Sequence, residues 1–158
     1  MSIYLQTKAR PVKDLPMTDA ERKARVELAA AYRIFDMLGW DQLIFNHITL
    51  RVPGPEHRFL INPFGLHYSE ITASSLLLID LEGNSLRESK WPVNRAGYVI
   101  HSALHESQEE AHCVMHTHTT TGISSVFPAW GGKFIFLRKP ASAAPVCLLT
   151  APLIGPGS

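Results

Sequence analysis

The chain has 158 residues, a formal net charge of +1, 46% hydrophobic and 18% charged residues. This is the make-up of one soluble globular domain. It excludes the basic surface expected of a nucleic-acid or anionic-membrane binder. Two cysteines make no disulfide framework, so a reduced, cytoplasmic setting is expected. The first residues hold no apolar stretch long enough for a signal peptide or membrane span.

Residues 1–17 read as an extended arm broken by Pro11 and Pro16. Thr18 with Glu21 three residues later has the pattern of a capping box. A helix is expected from there to Gly39, with Leu28, Tyr32, Phe35 and Leu38 on one apolar stripe. Glu21, Arg22, Arg25 and Asp36 fall mostly off that stripe. "NHITLRV" alternates, with Ile48, Leu50 and Val52 on one face and His47, Thr49 and Arg51 on the other, and reads as a half-buried strand. "PGPEH" turns it into a second strand, "RFLIN". "LLLID" is a short buried strand ended by a turn at Gly83-Asn84. "RAGYVIHSALHESQEE" reads as a helix with Val99, Ala103 and Leu104 inward. "HCVMH" is another strand. Residues 127–158 carry five prolines and no Asp, Glu or His. Apart from a possible strand in "KFIFLR" they read as irregular apolar tail. Short, closely spaced strands favour an α/β fold with a largely antiparallel sheet.

Five of the eight histidines lie between His101 and His118. His116 and His118 are two apart, so on a strand they share a face and can turn onto one ion. A catalytic zinc ion usually takes three protein ligands, so the pair is half a site. His101 and His105 share a helix face, but "HSALH" has Ser102 where the metalloprotease "HExxH" has its base. They read better as packing histidines. Cys113 reads as a core thiol. No phosphate-binding glycine loop and no nucleophile elbow is present.

The blocks "NHITLRVPG", "RFLINPFGLHYSEITASSLLLIDLEGN", "VNRAGYVIHSALH" and "CVMHTHTTTGISSV" together resemble the class II aldolase/adducin N-terminal domain family, in its adducin-like branch. The resemblance covers residues 18–126. It implies a three-layer α/β/α fold with a mixed, mostly antiparallel sheet, incomplete at the C-terminus. Residues 127–158 are then a divergent, truncated or frame-shifted end. It also implies a divalent metal, usually zinc, and homotetramers with sites between subunits. The family's enzymes include fuculose-phosphate and rhamnulose-phosphate aldolases, a ribulose-phosphate 4-epimerase and a methylthioribulose-phosphate dehydratase.

Carried over by position, the resemblance makes His116 and His118 the metal ligands. The family's third ligand is a downstream histidine, and no histidine follows His118. The catalytic glutamate matches Gly97. The phosphate-binding serines match Arg95 and Ala96, and the first-loop asparagine matches His47. A second phosphate loop matches "NPFG", keeping Gly65 with Phe64 in place of a hydroxyl residue. Arg95 and Gly65 remain as substrate-binding candidates. The expectation is a catalytically silent or impaired family member. An active metal-dependent lyase, epimerase or dehydratase on a small sugar-phosphate-like substrate is the alternative. An actin-binding role follows only by weak analogy with adducin.

Overall fold

The computed structural model describes residues 15–41, 46–54, 56–107, 111–117, 133–137 and 146–151. Its elements are α1 (Asp19–Met37), β1 (His47–Arg51), β2 (Phe59–Ile61), a 3₁₀ turn (Tyr68–Glu70), β3 (Leu77–Ile79), α2 (Arg95–Ser107), β4 (Cys113–Thr117), β5 (Lys133–Leu137) and β6 (Val146–Ala151). The strands form one sheet in the order β3-β2-β1-β4-β6-β5. Every pairing among the described residues is antiparallel. The expected arm before Leu15 and residue His118 lie outside the described residues.

The two helices lie on opposite faces of the sheet, which makes three layers. Side chains alternate along each strand, and the alternation sorts them between two cores. Leu28 and Tyr32 of α1 pack with Ile48, Leu50, Leu60 and Leu78. Phe59, Ile61, Leu77 and Ile79 point the other way, beside Tyr98 of α2. Val114 of β4 packs on that same side with Ile100 and Leu104. This is the expected α/β/α architecture.

Helix α1 begins at the expected Thr18 cap, with the Glu21 side chain bonded to Arg25 and Arg87 instead of closing the expected capping box. Thr18 accepts the Glu21 N–H at 3.1 Å, and Gly39 takes φ 65° just beyond the helix end. The Tyr32 hydroxyl gives its proton toward the Ile48 carbonyl at 2.6 Å and accepts the Ile48 N–H at 2.8 Å. That fastens α1 to the start of β1.

Five expectations change. Glu21 and Arg25 are buried, not solvated: the Glu21 carboxylate accepts from Arg25 Nε at 2.8 Å and Arg87 Nη2 at 2.7 Å. Pairing makes their burial possible, and Arg25 also donates to the Ala73 and Leu76 carbonyls. Strand β1 is covered on both faces, because α2 lies over His47 and Thr49. In α2 it is His101 and His105 that turn inward, while Val99 is 51% exposed and Ala103 is exposed. Leu38 is likewise exposed, while Phe35 is partly buried. Finally, "VCLLTA" within the stretch read as irregular tail forms β6, inserted between β4 and β5.

Candidate metal-ligand cluster

The register of β1 and β4 sets the site. His47 pairs with His116, and Thr49 with Val114. All four side chains face α2. His116 Nδ1 lies 3.3 Å from His47 Nε2, and the ring centroids are 4.5 Å apart. Both residues are buried.

Helix α2 brings the other two histidines down onto this face. Asn94, just before the helix, accepts the Gly97 N–H at 3.1 Å and so fixes its first turn. One turn further on, the His101 ring centroid lies 4.4 Å from that of His47. His105 stacks on Phe59 at 4.2 Å with 20° between the planes. The expected packing role of the His101/His105 pair is therefore correct.

Hydrogen bonds determine which nitrogen carries the proton in each ring. His105 Nδ1 is 2.8 Å from the Ala111 carbonyl, which only accepts, so Nδ1 is the N–H. Its Nε2 is then an acceptor, 2.8 Å from the Thr49 hydroxyl. Thr49 gives its single proton there. It must therefore accept from His101 Nδ1, 2.7 Å away. That leaves His101 Nε2 as a bare lone pair. It is fully buried and, among the described residues, has no hydrogen-bond partner.

Burial, reinforced by the neighbouring His47 and His105, holds the His101 imidazole well below its ordinary pKa. Burial lowers His105 to about 4, against the opposing pull of the Ala111 carbonyl. Both rings are neutral near pH 7 and present nitrogen lone pairs, not positive charge.

Gly97 is buried under the His47 ring. A Cβ built there would lie 2.9 Å from His47 Cδ2 and 3.0 Å from Cγ. A glutamate cannot enter that position unless the His47 ring moves. Gly65 has φ 96°, a left-handed conformation that suits glycine. Its loop meets the segment ahead of α2 through the Phe64 N–H to Pro92 carbonyl bond of 3.2 Å. Arg95 is exposed at the first position of α2. Cys113 is a free thiol that burial pushes up to about 12, in keeping with a core role.

The sequence reading left Thr49 and the ring contacts of His47 unassigned. The signal was the alternation of "NHITLR", which put His47 and Thr49 on one face, but nothing local says that this face is covered. A second group is on the α1 side of the sheet. His67 Nε2 lies 2.5 Å from Asp41 and Nδ1 lies 3.6 Å from Asp36. Their ligand atoms fall within 4.8 Å of one another. Two carboxylates and a half-exposed imidazole thus already contact one another, and the sequence reading did not connect them.

The Class II Aldolase and Adducin N-terminal domain profile matches residues 26–128. A protein of Caulobacter vibrioides provisionally named as a class 2 aldolase is 53% identical over 108 residues, covering 68% of this chain and 42% of that protein. Alpha-adducin of Rattus norvegicus is 45% identical over 120 residues, covering 71% of this chain and 16% of adducin. The crystal structure of an aldolase II superfamily protein from Pseudomonas syringae superposes with a TM-score of 0.65 at 45% identity, covering 68% of this chain and 44% of that one. The chain thus spans less than half the length of these relatives. Among the described residues no helix is long and apolar enough to cross a membrane.

Proposed function

Since the chain belongs to the class II aldolase and adducin N-terminal domain family, we propose that it keeps the family's metal half-site and lacks the family's proton-transfer chemistry. His116 and His118 hold a divalent cation, with zinc the best match for imidazole donors. The donor chemistry fits. His116 is buried on the strand that carries the motif, beside rings that are neutral near pH 7 and so do not repel a cation.

When bound, such a cation would polarise a substrate carbonyl and favour the enediolate that follows carbon–carbon cleavage or proton abstraction. The chain's own residues then decide whether a reaction occurs. One observation carries the reading: Gly97, at the position of the family's glutamate, is covered by the His47 imidazole. Glycine supplies no proton acceptor, and the space a carboxylate would need is filled. Phe64 and Arg95 stand where the resemblance expects hydroxyl groups, which removes short hydrogen-bond donors for a phosphate. Arg95 is left as one exposed cation that meets such a group only weakly.

The reading is of a binding or assembly domain of the aldolase/adducin type, self-associating as its relatives' resemblance suggests. The test is direct. Purified chain is dialysed against zinc, and bound metal is counted by inductively coupled plasma mass spectrometry beside His116→Ala. Aldol cleavage of ketose 1-phosphates is assayed on the same samples. Bound zinc, lost in His116→Ala, with no turnover is the expected result. Turnover that requires His116 would overturn the silent assignment in favour of an active lyase. A folded, metal-free protein would overturn the half-site.

A further inference from the structure

The end of α1 turns the chain back on itself. The Gly39 N–H bonds the Asp36 carbonyl at 3.0 Å and the Trp40 N–H bonds the Phe35 carbonyl at 2.9 Å. With Gly39 at φ 65°, these two bonds make a Schellman turn. The Trp40 ring meets Phe35 edge-on at 5.3 Å, and Asn46 Nδ2 donates to the Trp40 carbonyl at 2.9 Å. The turn so held brings Asp41 back beside Asp36. His67 approaches from the start of the 3₁₀ turn. Its Nδ1 accepts the Ser69 N–H at 3.3 Å and lies 2.8 Å from Ser69 Oγ, while Nε2 lies 2.5 Å from Asp41. One oxygen of each carboxylate and one ring nitrogen all fall within 4.8 Å of one another. Donors about 2.0–2.2 Å from a zinc ion stand about 3–4 Å apart. The three atoms can therefore meet one ion with a small shift of the half-exposed ring. Two carboxylates carry two negative charges, of which an imidazolium offsets at most one and a divalent ion both.

An independent observation lies on the buried side of this group. Tyr68 follows His67 and is fully buried, yet its hydroxyl has no hydrogen-bond partner among the described residues. Its ring packs edge-on against Tyr32 of α1 at 4.6 Å, one helical turn before Asp36. Burial raises the phenol pKa well above its ordinary value, and the carboxylate that raises it further is that of Asp41. The unmet hydroxyl is thus turned toward the two acids and the imidazole. A buried hydroxyl left without a partner is costly. An ion held by the three side chains, or water bound to that ion, supplies one.

We propose that Asp36, Asp41 and His67 form a site for one divalent transition cation of the zinc or manganese class, with the Tyr68 hydroxyl behind it. Carboxylate oxygen suits both ions, and the imidazole favours zinc. Ser69 is the positioning residue: its hydroxyl is placed to accept Nδ1–H when Nε2 ligates, the second bond that orients a ligating histidine. The ion ties the end of α1 to the loop after β2. This site shares no residue with the His116/His118 half-site and does not rest on it.

The experiment uses the full chain, stripped with a chelator and uniformly ¹⁵N-labelled. Manganese is added in substoichiometric steps while ¹H–¹⁵N spectra record which resonances its unpaired electrons broaden. Zinc titrations followed at the same resonances give the affinity of this site for wild type, Asp41→Asn, His67→Gln and Tyr68→Phe. The expected result is early broadening centred on Asp36, Asp41 and His67 that excess zinc reverses. Asp41→Asn and His67→Gln should each weaken zinc binding by at least about tenfold, and Tyr68→Phe by about tenfold. The His67 side chain is 40% exposed, so His67→Gln leaves the core intact. No broadening at the cluster at saturating manganese would overturn the site. So would broadening there that survives both Asp41→Asn and His67→Gln, the mark of loose attraction to carboxylates. An unchanged affinity in Tyr68→Phe would remove the hydroxyl from the site. Broadening around His116 alone would overturn this site and leave the half-site standing, and broadening at the cluster alone would do the reverse.

Discussion

A methyl group at position 97 would meet the His47 ring at 2.9 Å. That ring is buried between the rings of His101 and His116 and has little room to give. Overpacking of this kind costs about 1–3 kcal/mol. Alanine recovers at most about 1 kcal/mol over glycine through helix propensity. Gly97→Ala should therefore lower stability by about 1–2 kcal/mol in urea denaturation. In a His47→Asn background the clash is gone, and the same change should be neutral or stabilising. An unchanged midpoint for Gly97→Ala in the wild-type background would show that the ring yields freely. Thr49 is equally exposed to a single change. Its hydroxyl bonds both His101 Nδ1 and His105 Nε2. Thr49→Val keeps the shape and leaves one buried N–H and one buried lone pair unmet, at about 1–3 kcal/mol each. The expected total loss is about 2–4 kcal/mol, and a loss under about 1 kcal/mol would mean the two rings find other partners.

At the scale of elements, α1 is fastened at its first turn by charge. The Glu21 carboxylate is buried between Arg25 and Arg87. Burial alone would raise its pKa, and the two guanidiniums outweigh that and hold it below the usual carboxylate range. Removing one member of a buried ion pair strands the others, a loss of about 3–5 kcal/mol. Glu21→Ala should approach that figure in equilibrium unfolding, reduced because Arg25 keeps its two carbonyl acceptors. A loss within the scatter of surface substitutions would show that the arginines find water instead. The same residues show where the sequence was legible. The Leu28–Tyr32 stripe, the Thr18 cap and the Gly39 stop are local and were readable. Glu21 and Arg25 were not, because a charge on a helix is read as solvated unless its partner is known, and Arg87 is far along the chain. Strand β1 shows the same limit. Its alternation revealed two faces and said nothing of the helix that covers the second. In α2, Val99 looked like the inward residue on hydropathy, yet the two histidines face the sheet because Thr49 and the Ala111 carbonyl supply their hydrogen bonds. Of the histidines between α2 and the sheet, the motif singled out His116, whereas its contact with His47 and the approach of His101 needed the β1–β4 register and the placement of α2.

For the whole molecule, two neutral imidazoles sealed between sheet and helix make stability depend on pH. Burial lowers His105 from an ordinary 6.5 to about 4, and burial shifts His101 in the same direction. Above pH 6.5 neither folded nor unfolded chain holds a proton on these rings, and their full contribution to stability is present. Between 6.5 and about 4 the unfolded chain takes up protons that the folded chain refuses. Stability then falls as pH falls, and the His105 share levels off only below its folded value. For His105 alone the loss across that window is about 3 kcal/mol. His101 adds to it with the same sign. Urea denaturation of metal-free protein at intervals from pH 7.5 to 4.5 should therefore show a midpoint that declines steeply below pH 6.5. His105→Gln should be less stable at pH 7 yet show a shallower decline, because one of the excluded protons no longer has a site. A midpoint that stays level from pH 7 to 5 would mean that the rings take up protons in the folded state. The layer between α2 and the sheet would then be open to water, and the bare His101 nitrogen would no longer be an isolated lone pair.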